Sequence, residues 1–302
     1  MEIVKDVAAL KKRWTSGAGR DLARTAQQRI LRNEALDGIG LQKVDGRADL
    51  RCMTFPASLR ELSGVRIRRV DLSGAKLANL RIVDAAIEDC RFEGADCRYW
   101  HLRGSSVDGC SFARADLRDS TLGEWFQGRG NYYRGVSFEA ARFLRATTSA
   151  AVYDDCDFSH AELDRVNFWQ SSLIRCRFAG GVREVVFDGR MLGEGKPTSN
   201  PMEFVDLTDA TIDGCEFRGV TFDTVVLPAD PALIRIRDTG VVDRALVALA
   251  GIPADSGTAI AEVVLGHVRK VLAMGGEALV NLRDAEPAGT LVGRLIRDAS
   301  MA

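Results

Sequence analysis

Long apolar runs are missing from this chain. No stretch approaches the ~18 residues needed to cross a bilayer, and in the opening MEIVKDVAALKKRW the charges are scattered among the apolar positions instead of preceding them. A cytoplasmic protein with no membrane partner is therefore expected. An excess of one charge is missing too: 41 Lys and Arg against 42 Asp and Glu leave a formal net of −1, which argues against bulk attraction to nucleic acid. Histidine is scarce. None of the three, His101, His160 and His267, has a cysteine or carboxylate at a zinc-binding spacing, and the seven cysteines form no CxxC pair. GxSxG, HExxH and GxGxxG are absent as well. The expectation is a protein without metal, cofactor or catalytic residues. Proline is rare, 7 residues beside 29 Gly, and 4 Tyr and 4 Trp stand beside 13 Phe. Many small residues with surplus phenylalanine suggest internal repeats.

Written in fives, the chain has a bulky or apolar residue at thirteen consecutive positions from Leu62 through Ile67, Leu72, Leu77 and onward to Leu122. Two residues before each centre stands a mostly small side chain, such as Ala75, Ala85, Cys90, Ala95, Cys110 and Ala115. A second run has its centres from Phe138 to Phe178, a third runs from Leu207 to Leu227, and Phe187 sits alone between them. A period of five fits neither the 3.6 of a helix nor the 2 of a strand. A square coil fits: five residues make one side and a turn, four units close a coil, and both marked positions point inward. Coils stacked at ~4.8 Å would give about seven layers and a rod of roughly 35 Å. Its open ends need covering against edge pairing.

Segments such as ARADLRDSTL, DCDFSHAELDRVNF and LTDATIDGCEFRGVTF resemble the A(D/N)LXX consensus of the pentapeptide repeat family. The resemblance spans about residues 56–228 and implies a mainly β fold, a right-handed quadrilateral β-helix. On it rests a three-part division: an N-terminal helical and irregular cap at 1–55, the β-helix at 56–228, and an α-helical module at 229–302. Val4, Val7, Ala8 and Leu10, then Leu22, Ala26 and Ile30, recur at helical spacing in the first part. VVDRALVALAG, GTAIAEVVLGHVRKVLAM and AGTLVGRLIRD do so in the last. Val263, Val264, Leu265, Val268, Val271 and Leu272 leave that module apolar enough to seal the last coil, to make a homodimer through its helices, or to bind something else.

Two interruptions are expected, near 123–135 and 188–203. The first reads GEWFQGRGNYYRG and lies in a step of 16 from Leu122 to Phe138, with Trp125, Phe126, Tyr132 and Tyr133 crowded between glycines. It is either an aromatic binding loop or an aromatic plug over a kink. The second lies in a step of 20, a whole coil, from Phe187 to Leu207, where Pro197 and Pro201 suit a protruding loop. GRMLGEGK there has neither the spacing nor the Ser or Thr of a phosphate loop. Trp100 takes an inward position that usually holds Ala or Cys, so either the coil bulges or Trp100 turns outward with Tyr99 and His101. Trp100, Trp125, Phe126, Tyr132 and Tyr133 are the candidate partner site.

Cys90, Cys110, Cys156, Cys176 and Cys215 fall on small inward positions and Cys97 on a centre, which makes them core filler. Cys90/Cys110 and Cys156/Cys176 are 20 apart, stacked closely enough for a disulfide; a reducing compartment favours free thiols. On the outer face, adding 20 sets Arg68 over Glu88, Arg69 over Asp89, Asp155 over Arg175 and Asp157 over Arg177, with Asp96 over Asp116 as a like-charge exception. The resemblance implies two functions. One is a non-catalytic scaffold that binds an unidentified protein partner through loops and end modules. The alternative is a DNA gyrase-binding or quinolone-protection protein that imitates duplex DNA. Mixed outer charges favour the first.

Overall fold

The computed structural model describes residues 2–56, 58–188, 190 and 202–301. Each five-residue unit is a short extended segment and a corner. From Gly64 to Asp119 every fifth residue, two after each centre, has a left-handed backbone: Gly64, Arg69, Gly74, Asn79, Asp84 and so on, with φ between 50° and 67°. Glycine enters this region without a Cβ clash, and Asn and Asp enter it more easily than most. The corners therefore account for much of the glycine surplus.

Segments in successive turns pair in parallel and make four walls. The first holds the strands Glu61–Ser63, Arg81–Val83 and His101–Arg103, bridges at Thr121 and Thr147, and the strands Asn167–Trp169, Val186–Asp188 and Glu216–Arg218. The second is a seven-stranded sheet from Arg66–Arg68 through Ala86–Glu88, Ser106–Asp108, Asn131–Arg134, Ala151–Asp154 and Ser172–Ile174 to Met202–Glu203. Single bridges build the third, from Asp71 through Arg91, Ser111, Ser137, Asp157, Arg177 and Asp206 to Val226. The fourth runs from Thr54 through Lys76, Asp96, Asp116 and Arg142 to Glu162, then Gly180–Arg183 on Ala210–Asp213. Parallel pairing starts at Ala48 on Val70.

Repeat centres face inward in one continuous apolar cluster. In the third wall Phe92, Phe112, Phe138, Phe158 and Phe178 stack ring on ring, with centroids 4.6, 5.6, 5.1 and 4.9 Å apart and planes within 22°. The second wall contributes Tyr133 on Tyr153 at 4.9 Å, and the first Phe168, Phe187 and Phe217 at 5.6 and 4.9 Å. All seven cysteines are free thiols, and six are buried.

The pairing offset, 20 at first, reports where the chain is interrupted. Val107 pairs with Tyr133 and Asp116 bridges Arg142, an offset of 26, so six residues are added in that layer. Phe168 pairs with Phe187 at an offset of 19: a residue is missing between Phe178 and Phe187, and Val182 is a centre. Val182 pairs with Ile212 at an offset of 30, which puts ten added residues between Asp188 and Met202. The step from Phe187 to Leu207 is therefore not a whole coil. Phe187, Met202 and Leu207 are centres of three successive walls. Pro197 and Pro201 lie outside the described residues.

Helices α1 (Glu2–Arg13) and α2 (Gly17–Leu31) precede the coil. Arg13 donates to both carboxylate oxygens of buried Asp49 at 2.7 Å, Arg51 donates at 3.0 and 3.1 Å, and Trp14 Nε1 donates to the Arg51 carbonyl. Burial pushes the Asp49 carboxyl upward, but the hydrogen bonds from the two guanidiniums outweigh it and hold the group below the usual carboxylate range. A depressed folded-state pKa adds stability above the unfolded value of ~3.9, which is lost as pH falls below it. Asp49→Asn should therefore cost about 2 kcal/mol at pH 7 and clearly less near pH 2, where the unfolded carboxylate is already protonated. Urea melts at both pH values check this; an equal cost at both would remove the ion pair from the account.

After the coil come helices α3 (Thr239–Ala250), α4 (Ser256–Ala273) and α5 (Gly289–Met301), with an antiparallel pair, Leu233–Ile236 on Ala278–Asn281. They enclose a second apolar cluster that includes Val242, Leu249, Leu265, Val268, Val292 and Ile296. Glu277 N–H donates to the Val220 carbonyl at 2.7 Å and Asn281 Nδ2 to the Ile212 carbonyl at 2.9 Å, tying this cluster to the last layer. No described helix is long and apolar enough to cross a membrane.

Candidate functional site: an aromatic hairpin on one edge of the coil

The six added residues form a β-hairpin. Phe126 and Arg129 exchange backbone hydrogen bonds of 2.8 and 3.0 Å around Gln127 and Gly128, whose φ values are 50° and 77°. Two consecutive positive φ angles define the two-residue turn whose twist matches that of paired strands. The chain leaves the first wall after Leu122 and enters the second at Asn131, so the hairpin stands on the edge between them. The ten residues added between Asp188 and Met202 interrupt the chain at the same edge.

Both stems fit only as glycine. A Cβ on Gly123 would fall 1.8 Å from the Ser149 carbonyl oxygen, and one on Gly130 would fall 2.2 Å from that of Ala150. In the layer below, a Cβ on Gly104 would meet the Phe126 ring at 2.8 Å. Polar contacts finish the clamp. Glu124 bonds His101 and pairs with Arg103 at 3.1 Å, Arg129 pairs with Asp84 at 2.9 Å, and the Arg103 guanidinium lies 5.4 Å from the Phe126 ring centroid.

Asn131 closes the interruption from inside. Its Nδ2 donates to the carbonyls of Leu102 and Leu122, both at 2.9 Å, and its Oδ1 accepts from the Ser105 N–H at 2.9 Å. Replacing Asn131 by Ala takes this partner from the Leu102 carbonyl and the Ser105 N–H, while Tyr133 still donates to the Leu122 carbonyl, and should cost about 2–3 kcal/mol. Denaturant unfolding measures the loss, and a cost under about 0.5 kcal/mol would show that water replaces the amide.

The five residues singled out in the sequence separate into two groups. Trp125 and Tyr132 are each 39% exposed and Phe126 is half-buried, whereas Trp100 is 2% and Tyr133 1% exposed. Trp100 and Tyr133 are thus core residues and take no part in a surface site. Tyr133 is a repeat centre of the second wall, paired with Val107 and Tyr153, and its hydroxyl donates to the Leu122 carbonyl. Trp100 neither bulges the coil nor turns outward, since the register passes through it at an offset of 20. Its indole reaches across the interior, with its ring centroid 5.5 Å from that of Phe92 and 6.0 Å from that of Phe112, and Nε1 donates to the Leu77 carbonyl at 2.7 Å. Room comes from Cys97, the centre stacked between Leu77 and Leu117. Tyr99, at its corner, stays exposed.

Trp169 belongs with the exposed group and was missed. It is 39% exposed, follows centre Phe168 on the first wall, and precedes Gln170, whose Oε1 accepts from Trp125 Nε1 at 3.1 Å. An outward residue beside a repeat centre carries no signal in a period that records only inward positions. Tyr132 donates to Asp154 Oδ2 at 3.0 Å; burial, then that carboxylate, raises its phenol pKa. Below the hairpin a groove of about 410 Å³ runs past Arg66, Asp84, Gly104 and Ser106 to Arg129 and Tyr132. Amphipathic aromatic rims beside arginines can bind a surface. Among the described residues no group of three His, Cys, Asp or Glu is placed to hold a metal ion.

Outer charges are largely paired. Arg68 meets Glu88 at 2.9 Å and Arg69 meets Asp89 at 3.8 Å, as the offset of 20 requires. Arg175 reaches Asp154 in place of Asp155, and Arg177 reaches Asp209 at 2.7 Å in place of Asp157. The like-charged Asp96 and Asp116 are each held by an arginine two residues on, at 2.8 Å from Arg98 and 2.6 Å from Arg118.

Four walls of parallel-paired five-residue units, opened by a hairpin at one edge, define a β-solenoid. The family model described as pentapeptide repeats, in eight copies, matches residues 151–181. The chain thus contains pentapeptide repeats. No curated protein sequence matches it. Among solved structures, QnrB1, described as a plasmid-mediated fluoroquinolone resistance protein, is 14% identical over 56% of this chain and 91% of its own, with a TM-score of 0.31. Rfr23 from the cyanobacterium Cyanothece 51142 is 13% identical over 56% and 91%, at 0.27. HetL from the cyanobacterium Nostoc, described as involved in heterocyst differentiation regulation, is 12% identical over 61% and 93%, at 0.21.

Proposed function

We propose that this protein is a non-catalytic interaction scaffold that holds a protein partner against the hairpin edge of its β-helix. One observation carries the reading. The hairpin is clamped above and below by glycine contacts and ion pairs, yet it leaves Trp125 and Tyr132, with Trp169 nearby, turned to solvent. A fixed aromatic surface loses little freedom on binding, which is the usual source of a strong protein contact. The coil is the rigid mount, a right-handed quadrilateral helix. The segments before and after it serve as a cap and a helical module, the latter with exposed Val247 and Val263 available for a homodimer contact. Cytoplasmic placement and the absence of cofactor, catalysis, nucleic-acid contact and membrane partner belong to the same reading.

A photo-crosslinking residue placed at Trp125 or Tyr132 should trap one discrete partner in cells, and Trp169→Ala should abolish the adduct. The same residue at Arg114, at the corner after the third wall, should trap nothing. Equal adducts from all three positions would sink the proposal. The alternative, a DNA gyrase-binding protein, draws support from a loop projecting out of the rod and loses it from the arginine partners of the outer carboxylates. Supercoiling by gyrase, titrated with and without a fluoroquinolone, separates the two. Inhibition or drug rescue that vanishes in Trp125→Ala/Tyr132→Ala would establish the alternative, and no effect well above the gyrase concentration leaves the scaffold.

A further inference from the structure

A second, unrelated feature lies at the start of the coil, in a groove of about 640 Å³ between the two N-terminal helices and the first layers. One side is α2, which presents Arg20, Arg24 and Gln27 at helical spacing. The other side brings Lys11 from α1 and, across the floor of Cys52, Met53 and Thr54, Lys76 from the fourth wall. Four cations line the groove, and among the described residues no carboxylate does.

These cations are not consumed by ion pairs. Among the described residues Lys11, Arg20 and Lys76 meet no carboxylate within ion-pair distance, and Arg24 meets only the exposed Asp21, at 3.3 Å. The nearest ladder neighbour of Lys76 that could neutralise it, Asp96, is engaged by Arg98 at 2.8 Å. Arg13, which would otherwise add a fifth charge, is committed to Asp49. That contrasts with the walls, where arginine after arginine has its own acid. The groove also contains a fixed aromatic. Trp14 is held by its Nε1 hydrogen bond to Arg51 and by the Arg13 guanidinium 4.3 Å from its ring centroid, and it borders the cations.

We propose that this groove binds a small phosphorylated ligand, the phosphates held by Lys11, Arg20 and Lys76 with the Trp14 indole beside them. Cations that line one groove without a neutralising acid suit phosphate, Arg20 keeping a bond to the Thr15 carbonyl, and the volume suits a molecule of nucleotide size better than a lone phosphate. The site is separate from the hairpin edge, so it stands or falls independently of the partner proposed there.

The test is calorimetric titration of the full-length protein with inorganic triphosphate, ATP and a short single-stranded DNA at low salt. Lys11→Gln/Lys76→Gln should weaken triphosphate binding at least about tenfold, since two charge-assisted contacts are lost. Lys270→Gln, at the far end of the molecule, should leave it unchanged. Equal affinities for triphosphate and ATP would show that the phosphate chain alone is read, and tighter ATP binding would show that the nucleoside adds to it; either supports the site. Three results overturn the proposal: no binding of either compound, binding indifferent to the double variant, or DNA bound far more tightly than both. Unchanged helical circular dichroism and melting temperature in Lys11→Gln/Lys76→Gln keep a folding defect out of the comparison.

Discussion

Phe158→Ala should destabilise the protein by about 3–5 kcal/mol, one of the two largest effects expected of single substitutions in the coil. Phe158 is 1% exposed and sits inside the third-wall stack, 5.1 Å from Phe138 and 4.9 Å from Phe178 by ring centroid, with Tyr153 and Phe168 edge-on at 5.5 and 5.7 Å. Removing the ring opens a cavity that the layers above and below cannot close, because backbone ladders on all four walls hold them at the strand spacing. Phe158→Leu should cost only about 1–1.5 kcal/mol, since the same column carries leucine at Leu72 and Leu207. Denaturant melts monitored by circular dichroism decide the matter. A cost below about 1 kcal/mol for Phe158→Ala would mean that the stack relaxes and that the layers are not rigid. In a chain stabilised layer by layer, the loss is also expected to appear as a second, earlier transition, because a weakened middle layer uncouples the two ends.

Trp100→Ala should lose a comparable 3–5 kcal/mol, and for this residue the cost depends on a neighbour. The indole takes space in the layer where Cys97 replaces leucine, and its N–H satisfies the Leu77 carbonyl. Cys97→Leu alone should therefore overpack the layer by about 1–3 kcal/mol. The double variant Trp100→Ala/Cys97→Leu should be more stable than the sum of its parts predicts, by about 1 kcal/mol or more, because the leucine refills the cavity. Additive losses would show that the two side chains do not share that space.

Much of the fold could be read directly because a five-residue period marks the inward positions without reference to any contact. The centres Leu62, Ile82 and Leu102 share a wall because they are 20 apart, and no other regular structure keeps them in phase. The candidate site was harder to read. Counting in fives cannot distinguish a slip of one residue from an insertion of six, and an insertion of ten leaves no trace. The step from Leu122 to Phe138 looks like three units and one residue; pairing of Val107 with Tyr133 makes it a hairpin of six. A signal did exist for Tyr133, which lies five before Phe138 and twenty before Tyr153. Crowding with other aromatics outweighed it.

Composition and periodicity by themselves determined the parallel coil, the phenylalanine core, the small inward cysteines and the prevailing neutrality of the walls. They could do so because in a solenoid each residue's neighbours lie at a constant separation along the chain. Tertiary structure alone decided which aromatics point outward, that both insertions open on one edge, and that Lys11, Arg20 and Lys76 of the N-terminal groove meet no acid among the described residues. Those depend on where the chain departs from its period. At a departure, hydrogen bonding and the space in adjacent layers select the conformation, as Gly123, Gly130 and Asn131 do beneath the hairpin.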